Sequence, residues 1–243
     1  MIIEACVNSA LSAIEAQKGG ADRVELCENL QDGGTTPSLG SILIARKKLD
    51  IGLFVMIRPR GGDFLYSGDE FEIMKEDILS ARRTGADGVV FGILLPDGSI
   101  DTVRMQALAI LARPMSITCH RAFDMTPDPF RAMEDLAGLG IDRILTSGQA
   151  PTAPEGAALI KELISRSAGR IVLMPGSGVK EHNVRQLVEF TGAREIHIHL
   201  EKQASSRMVF KQNSVYMGNP GQSEFHHTVT DRDRIRAVRN MNL

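Results

Sequence analysis

The chain has 243 residues, of which 43% are hydrophobic and 24% charged, the composition of a soluble globular protein with material for one large domain. A formal net charge of -2 excludes the broad field that would hold nucleic acid or an anionic membrane, and no apolar run approaches the length of a membrane span. Three cysteines, Cys6, Cys27 and Cys119, are too few for a disulfide framework, and the opening MIIEACVNS lacks a signal-peptide pattern, so a cytoplasmic protein with free thiols is expected.

Along the chain one phrase recurs: GADRVELC from Gly20, GADGVVFG from Gly85, GIDRILTS from Gly140 and GAREIHIH from Gly192. Each copy follows a helix-period segment, and its glycine suits the left-handed position that ends a helix before the chain turns into a strand. The spacing allows two β/α units per copy. Strands are predicted near residues 2–7, 23–27, 52–58, 87–92, 114–120, 142–146, 170–175 and 194–199, each followed by a helical pattern. Helix starts are signalled by Thr36-Pro37, Thr126-Pro127, Ser67 with Glu70 and Thr152 with Glu155. Eight such pairs predict a single-domain α/β fold over 1–243, a TIM-type (β/α)8 barrel, with an open doubly wound sheet as the alternative. Residues 200–230 fit no element and are expected to form a long loop or an assembly segment that offers a homodimer contact.

In such a barrel the functional side chains sit at the carboxyl ends of the strands. Parity turns Glu4 and Cys6 inward from strand one, and Glu25 and Cys27 from strand two. Strand three ends in MIRPRGGDFLYSGDE, where Arg58 and Arg60 share a side. Strand five contributes Ser116, Thr118 and His120, and strand eight His197 and His199. Two readings of the charges stay open: Glu4 and Glu25 neutralise Arg58 and Arg60 as a polar plug, or a positive charge is left for a ligand. Inward thiols on one rung of neighbouring strands would lie within reach of one soft metal ion such as Cu(I). Cys119 has the opposite parity and is assigned to packing.

Glu25, His120 and Asp124 are the candidates for proton transfer, with His120 tied to Asp124 as the competing structural role. Arg58, Arg60 and Asp63, together with Gly176, Ser177 and Gly178 of the MPGSGV turn, are the candidates for holding a small anionic or phosphorylated metabolite. His197 and His199 form an H-x-H pair without an obvious third ligand. No lysine stands at a strand end before Lys202, which argues against Schiff-base chemistry.

With GADRVELC, GGTTPS from Gly33, MIRPRGGDFLYS, HRAFDM from His120, LTSGQ from Leu145 and PGSGV in place, the sequence resembles the CutC family, called copper homeostasis proteins, to about residue 200. The resemblance implies a β/α barrel, a cytoplasmic protein and a role in copper handling, with Cu(I) ligands at Cys6 and Cys27. It departs from the family at HIHLEKQ, in the tail after strand eight and at Cys119, where relatives often have Phe. Copper homeostasis is therefore the leading expectation. A barrel enzyme using Arg58, Arg60, Glu25 and His120 on a small anionic metabolite is its competitor, and the partner is a copper ion or that metabolite, not nucleic acid or a membrane.

Overall fold

A computed structural model describes residues 1–212, 214, 215, 217 and 223–243. Its elements are β1 (Ile2–Val7), α1 (Ala10–Gly19), β2 (Arg23–Leu26), α2 (Leu39–Lys48), β3 (Gly52–Met56), α3 (Gly68–Arg83), β4 (Gly88–Phe91), α4 (Thr102–Ala112) and β5 (Ser116–Cys119). The chain continues through α5 (Pro129–Gly138), β6 (Arg143–Thr146), α6 (Ala157–Ser167), β7 (Val172–Pro175), α7 (Val184–Thr191), β8 (Glu195–Ile198), β9 (Glu201–Ser205), β10 (His226–Thr230) and α8 (Arg232–Arg239). Eight parallel strands pair in the order β7-β6-β5-β4-β3-β2-β1-β8. β7 and β8 lie against each other, so the ring is nearly closed and the fold is a TIM-type barrel.

The recurring phrase has a physical meaning in this fold. Gly20, Gly85, Gly140 and Gly192 all take positive φ, the conformation that stops a helix and that a side chain would strain. The aspartates two residues later clamp the neighbouring strand: Asp22, Asp87 and Asp142 accept the backbone N–H of Ile3, Leu53 and Ile117 at 2.7, 2.8 and 2.8 Å. Each also meets an arginine, Arg239, Arg46 and Arg113 respectively. These contacts fix the bottom of the barrel.

The fourth residue of each copy, Arg23, Gly88, Arg143 and Glu195, opens an even-numbered strand. Alternate strands of such a barrel supply one interior layer, and here that layer is ionic. Arg23 donates to Glu4 and to Glu195 at 2.5 Å each, and Arg143 donates to Glu195 at 2.6 Å. The guanidiniums of Arg23 and Arg143 lie 5.1 and 5.4 Å from the centre of the Phe54 ring. Gly88 makes room for that ring, since a Cβ there would stand 2.6 Å from it. Residues of the other parity, such as Ile3, Val24, Leu53, Val89 and Ile117, are fully buried under the helices, each worth about 1.5–3 kcal/mol.

Strand order matches the sequence expectation, whereas several helix starts differ. The Ser67/Glu70 capping box is present at α3. However, α2 is capped by Ser38, and α5 by Asp128 with Pro129 in the first turn, so Thr36-Pro37 and Thr126-Pro127 lie upstream of the helices. Thr152 bonds Glu155 in the turn before α6. β3 ends at Met56, so Arg58 and Arg60 belong to the following loop. The segment expected to lack elements contains an antiparallel pair, β9 and β10, inserted between β8 and α8, with Val209 and Phe210 exposed within it. Residues 213, 216 and 218–222 of that segment lie outside the described residues. No helix among the described residues is long and apolar enough to cross a membrane.

Because Arg23 bridges two buried carboxylates, Arg23→Met leaves Glu4 with His197 alone and Glu195 with Arg143 alone, and is expected to cost about 3–5 kcal/mol of stability. Urea denaturation at neutral pH measures this, and an unchanged midpoint would remove the ionic layer from the list of stabilising features.

Candidate functional site

The next layer up is built on the ionic one. Glu4 has no exposed surface, and while one of its oxygens takes Arg23, the other meets His197 Nδ1 at 2.7 Å. His197 Nε2 then faces Glu25 Oε2 at 3.8 Å, and the Cys27 thiol donates to that same oxygen at 3.3 Å. Ladder register sets Cys6 opposite Glu25, not opposite Cys27, so the two thiols are offset by a step instead of sharing a rung. The barrel's curvature nevertheless brings donor atoms of Cys6, Glu25 and Cys27 within 4.8 Å of one another, and those of Glu4, Glu25 and His197 likewise.

Charge in this cluster follows from burial and pairing. Burial alone would raise the Glu4 carboxyl, but the hydrogen bond from His197 and the Arg23 charge bring it down to about 2. Glu25 has no arginine beside it: burial, helped by the Cys6 and Glu4 charges, outweighs the His197 charge and the Cys27 bond and pushes it up to about 8. Burial disfavours an imidazolium at His197, yet the Glu25 and Glu4 carboxylates outweigh it and hold this histidine above its ordinary value. Hydrogen bonding to Cys27 and the neighbouring His197 draw Cys6 well below the usual thiol range, while Cys27 is driven above it by the same bond and by burial. A thiolate beside an imidazolium that is itself oriented by a carboxylate can bind a soft metal or act as a nucleophile or base.

Above the cluster a cavity of about 520 Å³ opens at the carboxyl ends of the strands. Cys6, Glu25 and His197 lie on its wall, and Arg58, His120 and Lys180 reach it from the loops. Arg58 does not pair with Glu4 or Glu25. It donates instead to the carbonyls of Asp32, Gly34 and Gly62 at 2.6–2.8 Å, stitching the loops after β2 and β3 together. Arg60 is bound to Glu70 at 2.6 Å and to Asp63 at 2.9 Å on the outer side, and neither Arg60 nor Asp63 lines the cavity. The sequence reading failed here because the turn after Met56 breaks the alternation on which parity rests.

His120 is also not tied to Asp124. Asp124 accepts from Arg121, Thr146 and Ser147, which consumes both of its oxygens in holding the loop after β6. His120 packs on Phe64 with ring centres 4.9 Å apart, and Arg58 stacks on Phe64 at 5.1 Å. That stack joins the RPRGGDF and HRAFD runs in space. His120 Nδ1 accepts from Ala122 N–H, and burial first, then the Arg58 charge, lower its pKa to about 3.

Ser177 and Gly178 line the cavity, both with positive φ. Gly176 lies behind them, where a Cβ would come 2.4 Å from Leu145 and 3.1 Å from His197. Cys119 is fully buried in the outer core, its thiol pushed up to about 12 by burial. His199 lines the rim and meets Glu201 at 3.2 Å, apart from the Glu4 and Glu25 cluster that holds His197. Sequence reading missed Arg23, Arg143, Glu195 and Lys180. The first three were signalled by their shared place in the recurring phrase. Lys180 lies in the loop after β7, past the strand end where parity sets side-chain direction; its Nζ donates to the His199 carbonyl at 2.9 Å.

Comparison with known proteins accounts for this set of motifs. The model of the CutC family matches residues 1–202. The chain belongs to the CutC family. A human relative named copper homeostasis protein cutC homolog is 48% identical over 238 residues, covering 98% of this chain and 87% of that protein. A CutC relative from Parabacteroides distasonis is 49% identical over 240 residues, covering 97% and 98%. The solved structure of CutC from Streptococcus agalactiae superposes with a TM-score of 0.78 at 37% identity, covering 81% of this chain and 97% of that one. The CutC match ends at residue 202, at the start of the β9–β10 insertion.

His120 links this site to pH. Its ordinary value of 6.5 falls to about 3 in the folded protein, so the unfolded chain takes up a proton that the buried ring refuses. Its contribution to stability is complete above pH 6.5 and is lost as pH falls toward 3. His120→Phe is expected to flatten this segment of the stability profile, measured by chemical denaturation at stepped pH. An identical slope in the variant would contradict the assignment.

Proposed function

We propose that the chain binds Cu(I) as part of copper homeostasis, with Cys6 and Cys27 as the thiolate ligands. The observation that carries this reading is the meeting of Cys6, Cys27 and Glu25 donor atoms within 4.8 Å, with Cys6 and Glu25 on the wall of an open cavity. Thiolates are soft ligands that favour Cu(I) over the harder divalent ions. Met56, Phe54 and Val90 pack in the same cluster with both cysteines, so one side of the pair is apolar and adds a thioether. Cys6 is the more reachable of the two, at 8% exposed against 1% for Cys27. Such a pocket admits the ion from the cavity side and shields it from water. The naming of CutC relatives as copper homeostasis proteins supports this chemistry. Binding would displace the Cys27 proton, making affinity rise with pH.

A second reading is favoured by one separate observation. A bare ion needs far less than about 520 Å³, whereas a cavity of that volume is typical of small-molecule sites. On this reading the barrel binds and acts on a small anionic metabolite, with Glu25, His120 and Cys6 as the groups that face it.

Cys6→Ser and Cys27→Ser are each expected to abolish sub-micromolar Cu(I) binding in an anaerobic competition titration against a Cu(I) chelator. Retention of wild-type affinity by both variants would sink the thiolate assignment.

A further inference from the structure

Buried polar groups almost always find partners, so the exceptions point to something outside the protein. Among the described residues, the buried side-chain atoms without a partner are Glu25 Oε1, Arg58 Nε, Tyr66 Oη and His120 Nε2. Glu25, Arg58 and His120 all lie on the barrel-mouth cavity, at 2%, 5% and 4% exposed.

His120 is fixed on three sides. Ala122 N–H donates to Nδ1 at 3.2 Å, Phe64 covers a face, and Gly92 stands so close that a Cβ there would lie 2.9 Å from the ring. Because Nδ1 accepts, the neutral ring carries its proton on Nε2, which leaves one rigid, unpartnered N–H donor on a residue that lines the cavity. A donor of this kind suits a carbonyl oxygen and can polarise it. Glu25 Oε1 is the second uncommitted atom: with Oε2 accepting from Cys27, it carries the proton of the neutral carboxyl and can donate to a hydroxyl oxygen.

The far end of the ligand is set by the loop after β7. Ser177, Gly178, Val179 and Lys180 line the cavity there, and the N–H groups of the first three are not among the chain's internal backbone bonds. Loops at this position of β/α barrels lend themselves to phosphate through their backbone N–H groups. Lys180 Nζ spends one N–H on the His199 carbonyl and has two more to offer a ligand. Of the aspartates on the wall, Asp124 is paired with Arg121, and Asp32 belongs to the loop after β2 with one oxygen held by Asn29.

We propose that the cavity binds a small phosphorylated hydroxy-carbonyl compound: its carbonyl oxygen on His120 Nε2, a hydroxyl on Glu25 Oε1, and its phosphate against Lys180 and the Ser177–Val179 backbone. This rests on the second reading above and names its substrate class.

The test is calorimetric titration and thermal shift on the full chain with dihydroxyacetone phosphate, dihydroxyacetone and inorganic phosphate as probes. Dihydroxyacetone phosphate is expected to bind more tightly than either fragment. His120→Phe, which keeps a ring against Phe64, should weaken that compound by about tenfold and leave inorganic phosphate unaffected. His120→Gln, which keeps an N–H donor, should stay within about threefold of wild type. Lys180→Met should weaken both phosphate-bearing probes. Equal affinity of wild type and His120→Phe, or equal loss in His120→Phe and His120→Gln, would overturn the carbonyl seat while leaving the second reading intact. Binding of small carboxylates but no phosphates would overturn the phosphate class alone. No thermal shift with any of a panel of small phosphates and carboxylates would overturn the second reading itself, and the proposal with it.

Discussion

Two arginines and two glutamates enclosed in the barrel set the terms for everything above them. Four charges in that position are stable only when each is answered, and Glu4, Arg23, Glu195 and Arg143 answer one another in a chain while both guanidiniums cover Phe54. The chain also leads upward, toward the barrel mouth. The second oxygen of Glu4 reaches up to His197, so the orientation of that imidazole is inherited from the ionic layer. Through His197 the same constraint reaches Glu25 and the thiols. A disturbance at Arg23 would therefore be felt at the site without any change to the residues that line it.

Polarity is stratified along the barrel axis. The bottom is clamped by aspartates on strand N–H groups, the middle is ionic, and above it lie sulfur and carboxylate donors facing a cavity closed around by loops. The loops are held by residues that look functional in isolation. Arg58 ties two loops by their carbonyls, Asp124 organises a third, and Phe64 lies between Arg58 and His120. Scaffolding of this kind leaves His120 Nε2 and Glu25 Oε1 as the polar atoms not committed internally on the two side chains best placed to meet a ligand.

The copper and metabolite readings draw on different depths of one site. Cys6 lies on its wall with Cys27 buried beside it, among Met56, Phe54 and Val90, where the proposed soft ion would be sheltered. His120 and Lys180 stand higher on the wall. Cys6 and Glu25 belong to both zones, so occupancy of one would be sensed in the other through shared atoms, without requiring a separate regulatory element.

Much of the barrel was written in local pattern. Positive-φ glycines, the Ser67/Glu70 capping box and alternating strands are properties of a few neighbouring residues, and so eight β/α units, the inward parity of Glu4, Cys6, Glu25 and Cys27, and the outward Cys119 could be read from sequence. Family motifs added the CutC assignment. What the sequence could not supply was the choice of partners among side chains far apart in the chain. Glu4 meets Arg23 and His197, not Arg58, because ladder register and strand closure decide which inward groups share a level. Arg60 turned outward and Lys180 reached the cavity because loops obey no fixed period. Pairing across the barrel is a property of three-dimensional closure, and only the tertiary structure could decide it.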